Sequence, residues 1–433
     1  MANKTCPPLS FDEWPTLTQP VVKKCLRSCC VKQLFSTQST EKSAYKVTIP
    51  FHRLPLLVQV QAIQTMCLKD WINLAMTSKR NERVIKLARI KTKTPCVEIN
   101  WLYSCIKFPS LKLCLRYDTS DWETDNLETM YRQDLRSWLN KWRTSTITEL
   151  AILYQKMQNI FVFPNNLIIS FCTDDMSYTA SIQGLQSNEV MKNWSKLTVN
   201  GKTICWEDLK IIMDTASSNR KFDCRVENMP LNFRHEKAFK FSYQVYYDAR
   251  WVKIEDLYGL RNLAYVCLEW NLFTQHQLKS YVNYWVDSEV DMFSWLKMTK
   301  SLDFDSFVDG LLGLYGSDPF IRFFFTLSKS SLNKRRNTML IISYDVEDHC
   351  LLMEAWDINK KYTPGRSKEV NKYFENIDKI LTLLHTKKTL EDLWKMADEE
   401  GKREWDEKIN KSIAELAKFK VFFVDGKATL DLF

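Results

Sequence analysis

The side chains able to do chemistry are spread thinly along this chain. Its five histidines stand at positions 52, 235, 276, 349 and 385, and no two have the spacing of a helical metal-binding pair such as H-E-x-x-H. His349 and Cys350 are adjacent, but neighbours on a strand point to opposite faces, which suits neither a dyad nor a shared metal. Cys25, Cys29 and Cys30 lie close together, with Cys6 upstream. A structural zinc site needs ligand pairs at short, regular spacing, and that regularity is missing. Gly310, Gly313 and Gly316 form GLLGLYG, which departs from the G-x-G-x-x-G phosphate cradle and follows a helical pattern rather than a strand. There is no G-x-S-x-G. Asp303 with Asp305, and Asp345 with Glu347, are paired acids of a kind common on surfaces. The expectation is a non-catalytic protein with no metal and no cofactor.

Charge and composition narrow the classes further. Lys79, Arg80, Arg83, Lys86, Arg89, Lys91 and Lys93 form a basic run with Glu82 the only acid inside it. A stripe for nucleic acid would interleave aromatic residues for stacking, and this run has none, so a solvated helix face is the first reading. The net charge of +9 allows an acidic partner without requiring nucleic acid. Only 9 glycines argue against nucleotide-cradling loops. No apolar run approaches the roughly eighteen residues that span a bilayer, so no membrane is expected. The opening MANKTCPPLSFDEW lacks the apolar core of a signal peptide. The 13 scattered cysteines, odd in number, suit reduced thiols, and the expected location is intracellular, in cytoplasm or nucleus. The length suits two or three globular domains.

Residues 1–46 are a poorly patterned leader with Pro7, Pro8, Pro15 and Pro20. Helical spacing sets in after Leu54-Pro55, where a proline is tolerated because a first-turn N–H has no partner anyway. Apolar residues recur at Leu56, Val60, Ile63 and Cys67, with Leu57 and Met66 beside them. A second pattern holds Trp71, Leu74 and Ala75. A third opens at Ser78, a good N-cap, and carries Val84, Leu87 and Ala88. Three short helices bury too little surface to be stable alone, so they need the rest of the chain or a partner.

Residues 47–91 resemble an F-box, in the form found in nematodes. The resemblance rests on Leu54-Pro55, the apolar helix to Met66, the turn to Asp70, Asn73-Leu74 and the Thr77-Ser78-Lys79-Arg80 opening of the third helix. It departs at Cys67-Leu68, where the family often has Asp-Pro. It implies binding to a Skp-type adaptor and, through it, to a cullin–RING ubiquitin ligase. The contact is then expected on Leu54, Pro55, Leu57, Val60, Ile63, Met66 and Leu74. Because that adaptor is acidic, docking is a second reading of the basic third helix. The plain alternative is a small helical cap on the next domain.

Residues 92–360 read as alternating strands and helices. Period-two spacing at Val97–Ile99–Trp101, Leu167–Ile169–Phe171, Leu197–Val199, Phe222–Cys224–Val226 and Phe239–Phe241–Tyr243 predicts half-buried strands. Trp206, Leu209, Ile212, Met213 and Ala216 mark a helix between strands. Another spans Thr274 to Val286, with Thr274 and Gln277 in capping-box spacing and Phe273 and Leu278 in staple spacing. Its apolar stripe, Leu278, Tyr281, Val282 and Trp285, reads as core. Trp194–Leu197–Val199, Leu260–Leu263–Tyr265 and Phe293–Leu296–Met298 share one pattern, at a strand spacing of roughly 25–30 residues, near that of leucine-rich repeats but without their Asn ladder. The expected fold is α/β (mixed α+β), a three-helix F-box followed by a leucine-rich-repeat-like strand/helix domain, with an ordinary α+β domain as the alternative.

Residues 190–358 also resemble the F-box-associated type 2 domain of nematode F-box proteins. Ile254 to Tyr258, the strand through Leu268, Leu278 to Trp285 and Phe293 to Leu296 carry this resemblance, and Asp309 to Leu312 with the strand pair Met339–Tyr344 and His349–Trp356 fit the family's tail. It implies substrate binding. The two resemblances together imply the substrate-recognition subunit of an SCF-type ligase with an unknown target protein. A basic nucleic-acid or protein-binding module, its helices only a cap, is the alternative. In a repeat sheet the residues between core positions line the open face. These are Lys196, Thr198, Asp223, Arg225, Lys240, Ser242, Ala264, Val266, Trp295 and Lys297. Trp295 and Arg225 are the expected anchors, supported by Thr198, Lys240 and Lys297. Mixed charge with an exposed aromatic points to a protein ligand rather than nucleic acid.

Residues 361–433 read as a helical C-terminal extension. Ile377, Ile380, Leu381 and Leu384 mark one helix, Thr389 with Asp392 starts another, and Trp405, Ile409, Ile413 and Leu416 mark a third. Asp425-Gly426 between apolar runs predicts a terminal hairpin.

Overall fold

The structure, a computed structural model, describes residues 51–100, 103–117, 127–139, 144–174, 181–317, 321–329, 334–358 and 376–430. The leader with its cysteines, Val47 to Pro50 and Trp101 lie outside them. The chain divides into two compact units, residues 1–62 and 63–433. In the first, a short turn at Phe51–Arg53 leads into helix α1 (Leu56–Gln64). The Gln59 amide donates to the Leu54 carbonyl at 2.7 Å, and the Pro55 carbonyl accepts the Gln59 N–H. Pro55 thus sits at the helix mouth, where its missing N–H costs nothing.

The second unit begins at Ile63, at the end of α1, and continues with α2 (Leu68–Thr77) and α3 (Lys79–Leu87). Ser78 caps α3, its hydroxyl accepting the Asn81 N–H at 3.2 Å. Ile72, Ala75, Val84 and Ile85 are buried. The helices pack toward α4 (Thr146–Ile160), and the Trp71 ring lies 5.8 Å from that of Phe161. A two-stranded parallel ladder joins β1 (Ile90–Lys91) to β6 (Phe161–Val162).

Among the described residues the remaining strands form one mixed sheet of sixteen. They are β2 (Cys96–Ile99), β3 (Tyr103–Lys107), β4 (Leu111–Tyr117), β5 (Glu128–Tyr131), β7 (Ile168–Cys172), β8 (Lys196–Thr203), β9 (Lys221–Asn228), β10 (Tyr243–Asp248), β11 (Leu263–Trp270), β12 (Phe293–Thr299), β13 (Leu314–Ser317), β14 (Ile321–Leu327), β15 (Met339–Asp345), β16 (Cys350–Trp356), β17 (Val421–Val424) and β18 (Lys427–Leu430). Its middle, β2-β7-β8-β9-β10-β11-β12, is parallel throughout. Parallel neighbours need crossovers, and short helices supply several: α5 (Ile182–Ser187), α6 (Trp206–Asp214), α7 (Ile254–Tyr258) and α8 (Gln275–Asp287). Helix α8 forms where expected. Thr274 accepts the Gln277 N–H, the Gln277 side chain accepts the Thr274 N–H, and Leu278, Tyr281, Val282 and Trp285 are fully buried.

Beyond β12 the pairing turns antiparallel through β16, β15, β14 and β13. Here α9 (Phe304–Val308) leads to the glycine-rich segment. A Cβ on Gly313 would lie 2.2 Å from the Phe325 carbonyl oxygen and 2.5 Å from the Phe324 ring. That glycine serves backbone packing, not phosphate. Gly313→Ala is expected to cost about 1–3 kcal/mol by overpacking, seen as a lower urea midpoint.

The chain after residue 376 differs from the expected order of helices. Ile377–Met396 is one continuous helix, with the Thr389 hydroxyl bonded back to the His385 carbonyl at 3.0 Å instead of capping a new start. Glu399–Lys418 follows as its partner. Asp425 and Gly426 both have positive φ, 49° and 77°, the geometry a two-residue hairpin between β17 and β18 requires. This segment also completes the sheet: β18 pairs parallel with β13, and Leu416, Ile380 and Leu381 share a core with Leu314, Phe325 and Ile341.

Candidate functional site

Residues opposite one another in a ladder share a sheet face, so the register can be followed from strand to strand. One row runs Lys196, Lys221, Tyr243, Tyr265, Trp295, Glu354, Ile341 and Phe325. A neighbouring row runs Thr198, Asp223, Val245, Cys267, Lys297 and Leu352. The residues between the rows, Leu197, Phe222, Gln244, Val266 and Leu296, are 0% exposed. That buried face meets helices: the Tyr246 hydroxyl lies 3.9 Å from the Met213 sulfur of α6, and the Phe304 ring of α9 lies against Tyr344. The first row's own face is half-open over β8 to β12. At Ile341 and Phe325 it passes beneath the C-terminal helix pair.

Thr198, Arg225, Trp295 and Lys297 therefore stand together on the open face, with Lys196 and Asp223 beside them. Lys240 does not. It is exposed before β10, and Ser242 is half-buried in the bend after it, its hydroxyl donating to the Arg220 carbonyl, because the expected strand at Phe239–Tyr243 instead begins at Tyr243. Val266 also faces the other way, opposite buried Leu296. In β11 the register differs by one residue from that expected, which reverses its side chains. The half-open residues of β10 and β11 on this face are Tyr243, Val245, Tyr265 and Glu269, while Cys267, on the same face, is buried. Strand β10 hides its signal by inversion: polar Gln244 and Asp248 are buried while Tyr243 and Val245 face out.

Three acids of this face are already engaged. Asp223, with its side chain 1% exposed, binds Arg225 Nε at 3.1 Å and Nη2 at 3.0 Å, and that contact raises the guanidinium pKa. Buried Glu354 accepts the Trp356 Nε1–H at 3.2 Å. Glu98 pairs with Lys107 at 3.7 Å. Burial pushes the Glu269 carboxyl up, against the pull of Lys297 and Arg225. Tyr243 and Tyr265 stack with ring centroids 4.6 Å apart and planes 11° apart, and Lys221 Nζ lies 6.0 Å over the Tyr243 ring. Burial, with Asp223 and Cys267 nearby, pushes the Tyr243 phenol up to about 12, so it keeps its proton at neutral pH.

At the C-terminal ends of the strands a cavity of about 390 Å³ is lined by Arg250, Glu269, Trp270, Leu272, Lys300 and His349, among others. Arg250 is committed there, with Nε 2.7 Å and Nη2 2.8 Å from the oxygens of fully buried Asp248. Burial raises the Asp248 pKa, but Arg250 and the Met229 and Arg250 N–H groups outweigh it and hold the carboxyl below its ordinary value.

The residues expected to meet an adaptor fall in both units. In the first, Leu57 is 68% exposed and Pro55 is exposed, with Leu54 and Val60 half-buried. Leu56 and Val58, absent from the expected contact, are also exposed, at 52% and 40%. In the second, Met66 and Leu74 are half-buried, but Ile63 is 0% exposed, so it belongs to internal packing rather than to a surface. Lys79, Arg80, Arg83, Lys86, Arg89, Lys91 and Lys93 are all exposed. Among the described residues no helix is long and apolar enough to cross a membrane. No protein-family model, curated protein or solved structure matches this chain.

Proposed function

We propose that this chain is the substrate-recognition subunit of an SCF-type cullin–RING ubiquitin ligase, its N-terminal helices binding a Skp-type adaptor and its open sheet face binding a target protein. The observation that carries the reading is Leu56-Leu57-Val58, three consecutive apolar side chains exposed at the start of a helix. Keeping apolar surface wet costs about 25 cal/mol per Å², so such a run calls for a partner. The resemblance of residues 47–91 to an F-box names that partner.

The sheet supports the second half of the proposal. Parallel strands begin at 168, 196, 221, 243, 263 and 293, close to the leucine-rich-repeat period of roughly 20–29 residues. An open repeat-like face presents side chains to a target, and on this proposal the receptor's contribution to ubiquitin transfer is proximity. A second reading has its own observation: α2 and α3 bury Ile72, Ala75, Val84 and Ile85, and Trp71 meets Phe161. On that reading these helices cap the sheet domain and nothing more.

Affinity purification with mass spectrometry separates the two. Adaptor and cullin are expected with the wild-type chain and absent with Leu56→Asp/Leu57→Asp, while target proteins remain with both. If the wild-type chain brings down targets but neither adaptor nor cullin, the cap reading holds.

A further inference from the structure

The row Lys196, Lys221, Tyr243, Tyr265 and Trp295 is more specific than a generic protein-binding face. Among the described residues neither Lys196 nor Lys221 has a carboxylate partner, whereas Asp223, Glu354 and Glu98 are paired or hydrogen-bonded. At the β8–β9 end of the row the charge left to meet a ligand is therefore positive, with Glu269 standing outside the row on β11. The middle of the row offers phenol hydroxyls, which are hydrogen-bond donors while protonated. The far end offers the half-buried indole of Trp295, next to Glu354, after which the C-terminal helix pair covers the row.

We propose that this row holds an extended peptide segment of the target, with acidic residues over Lys196 and Lys221 and an apolar residue against Trp295. The inference rests on the open face being the target face. Five neighbouring strands set about 4.8 Å apart span about 19 Å, which an extended peptide crosses in roughly six residues. The tyrosines favour a peptide over a single-stranded nucleic acid. A stacking platform must offer free ring faces to bases, but Tyr243 and Tyr265 each give one face to the other and Lys221 lies over the Tyr243 ring. What remains outward is edges and hydroxyls, suited to carboxylates and peptide groups.

The test uses the full chain alone, without adaptor, so its outcome is independent of ligase assembly. The chain is applied to a solid-phase array of random heptapeptides, together with the variants Lys196→Glu/Lys221→Glu and Lys196→Gln/Lys221→Gln. Wild type is expected to retain peptides enriched in Asp and Glu toward one end and in large apolar residues toward the other, with retention falling as salt rises. Charge reversal is expected to replace the acidic enrichment with Lys and Arg, and the glutamine pair to erase it, with melting temperatures unchanged. A fluorescein-labelled ten-nucleotide oligouridine is expected to bind at least roughly tenfold more weakly than the best peptide in moderate salt. Retained peptides without acidic bias, a bias that survives both variants, or tighter binding of the oligonucleotide would overturn the proposal.

Discussion

Leu56→Asp combined with Leu57→Asp is expected to weaken binding to a Skp-type adaptor by at least about a hundredfold while leaving the melting temperature unchanged. Fully burying a leucine contributes about 1.5–3 kcal/mol. At 52% and 68% exposure the two leucines have about 1.8–3.6 kcal/mol left to gain, and the cost of burying two aspartates against the adaptor carries the loss past the roughly 2.8 kcal/mol that a hundredfold represents. The folded chain loses little, because both side chains already face solvent, at 52% and 68% exposure. Aspartate in a first helical turn also meets the positive end of the helix dipole, which offsets its lower helix propensity. Isothermal titration on purified protein, beside a thermal melt, reads both quantities. Wild-type affinity in the folded variant would remove this surface from the adaptor contact.

Ile63→Arg is expected to act in the opposite way. Ile63 is 0% exposed, and an unpaired guanidinium in its place costs on the order of 3–5 kcal/mol. That is a large part of a domain's total stability of about 5–15 kcal/mol. Circular dichroism during urea unfolding should show a much lower midpoint, with any loss of adaptor binding following from loss of structure. An unchanged midpoint would mean that the Ile63 side chain is free to leave the interior. The pair of variants separates contact residues from a packing residue on the same helix.

Legibility followed how strictly each segment obeys its period. In β9, Phe222, Cys224 and Val226 alternate with charged Asp223 and Arg225, so the outward side was readable and Arg225 fell where expected. Strand β12 was readable for the same reason, which placed Trp295 and Lys297. In β11, LAYVCLEW is apolar on both faces over most of its length, and no period-two signal separates Tyr265 from Val266. Strand β10 is harder still, since it buries a polar residue and an acid; Asp248 is tolerated inside because Arg250 and the Met229 N–H satisfy it. Local chemistry was dependable wherever two signals coincided, as in the Thr274–Gln277 box and the Asp425-Gly426 turn. Joining the C-terminal hairpin to β13 depends on contacts more than a hundred residues apart, which no local pattern encodes.

The most direct measurement of the central claim is reconstitution from purified parts: the full chain, a Skp-type adaptor and a cullin, mixed with adaptor in excess and resolved by size-exclusion chromatography with light scattering. The account predicts a complex with one copy of each component, in which the chain joins the cullin only when the adaptor is present and the Leu56→Asp/Leu57→Asp chain stays outside. Elution of the folded wild-type chain alone, with adaptor and cullin together in a separate peak, would contradict it.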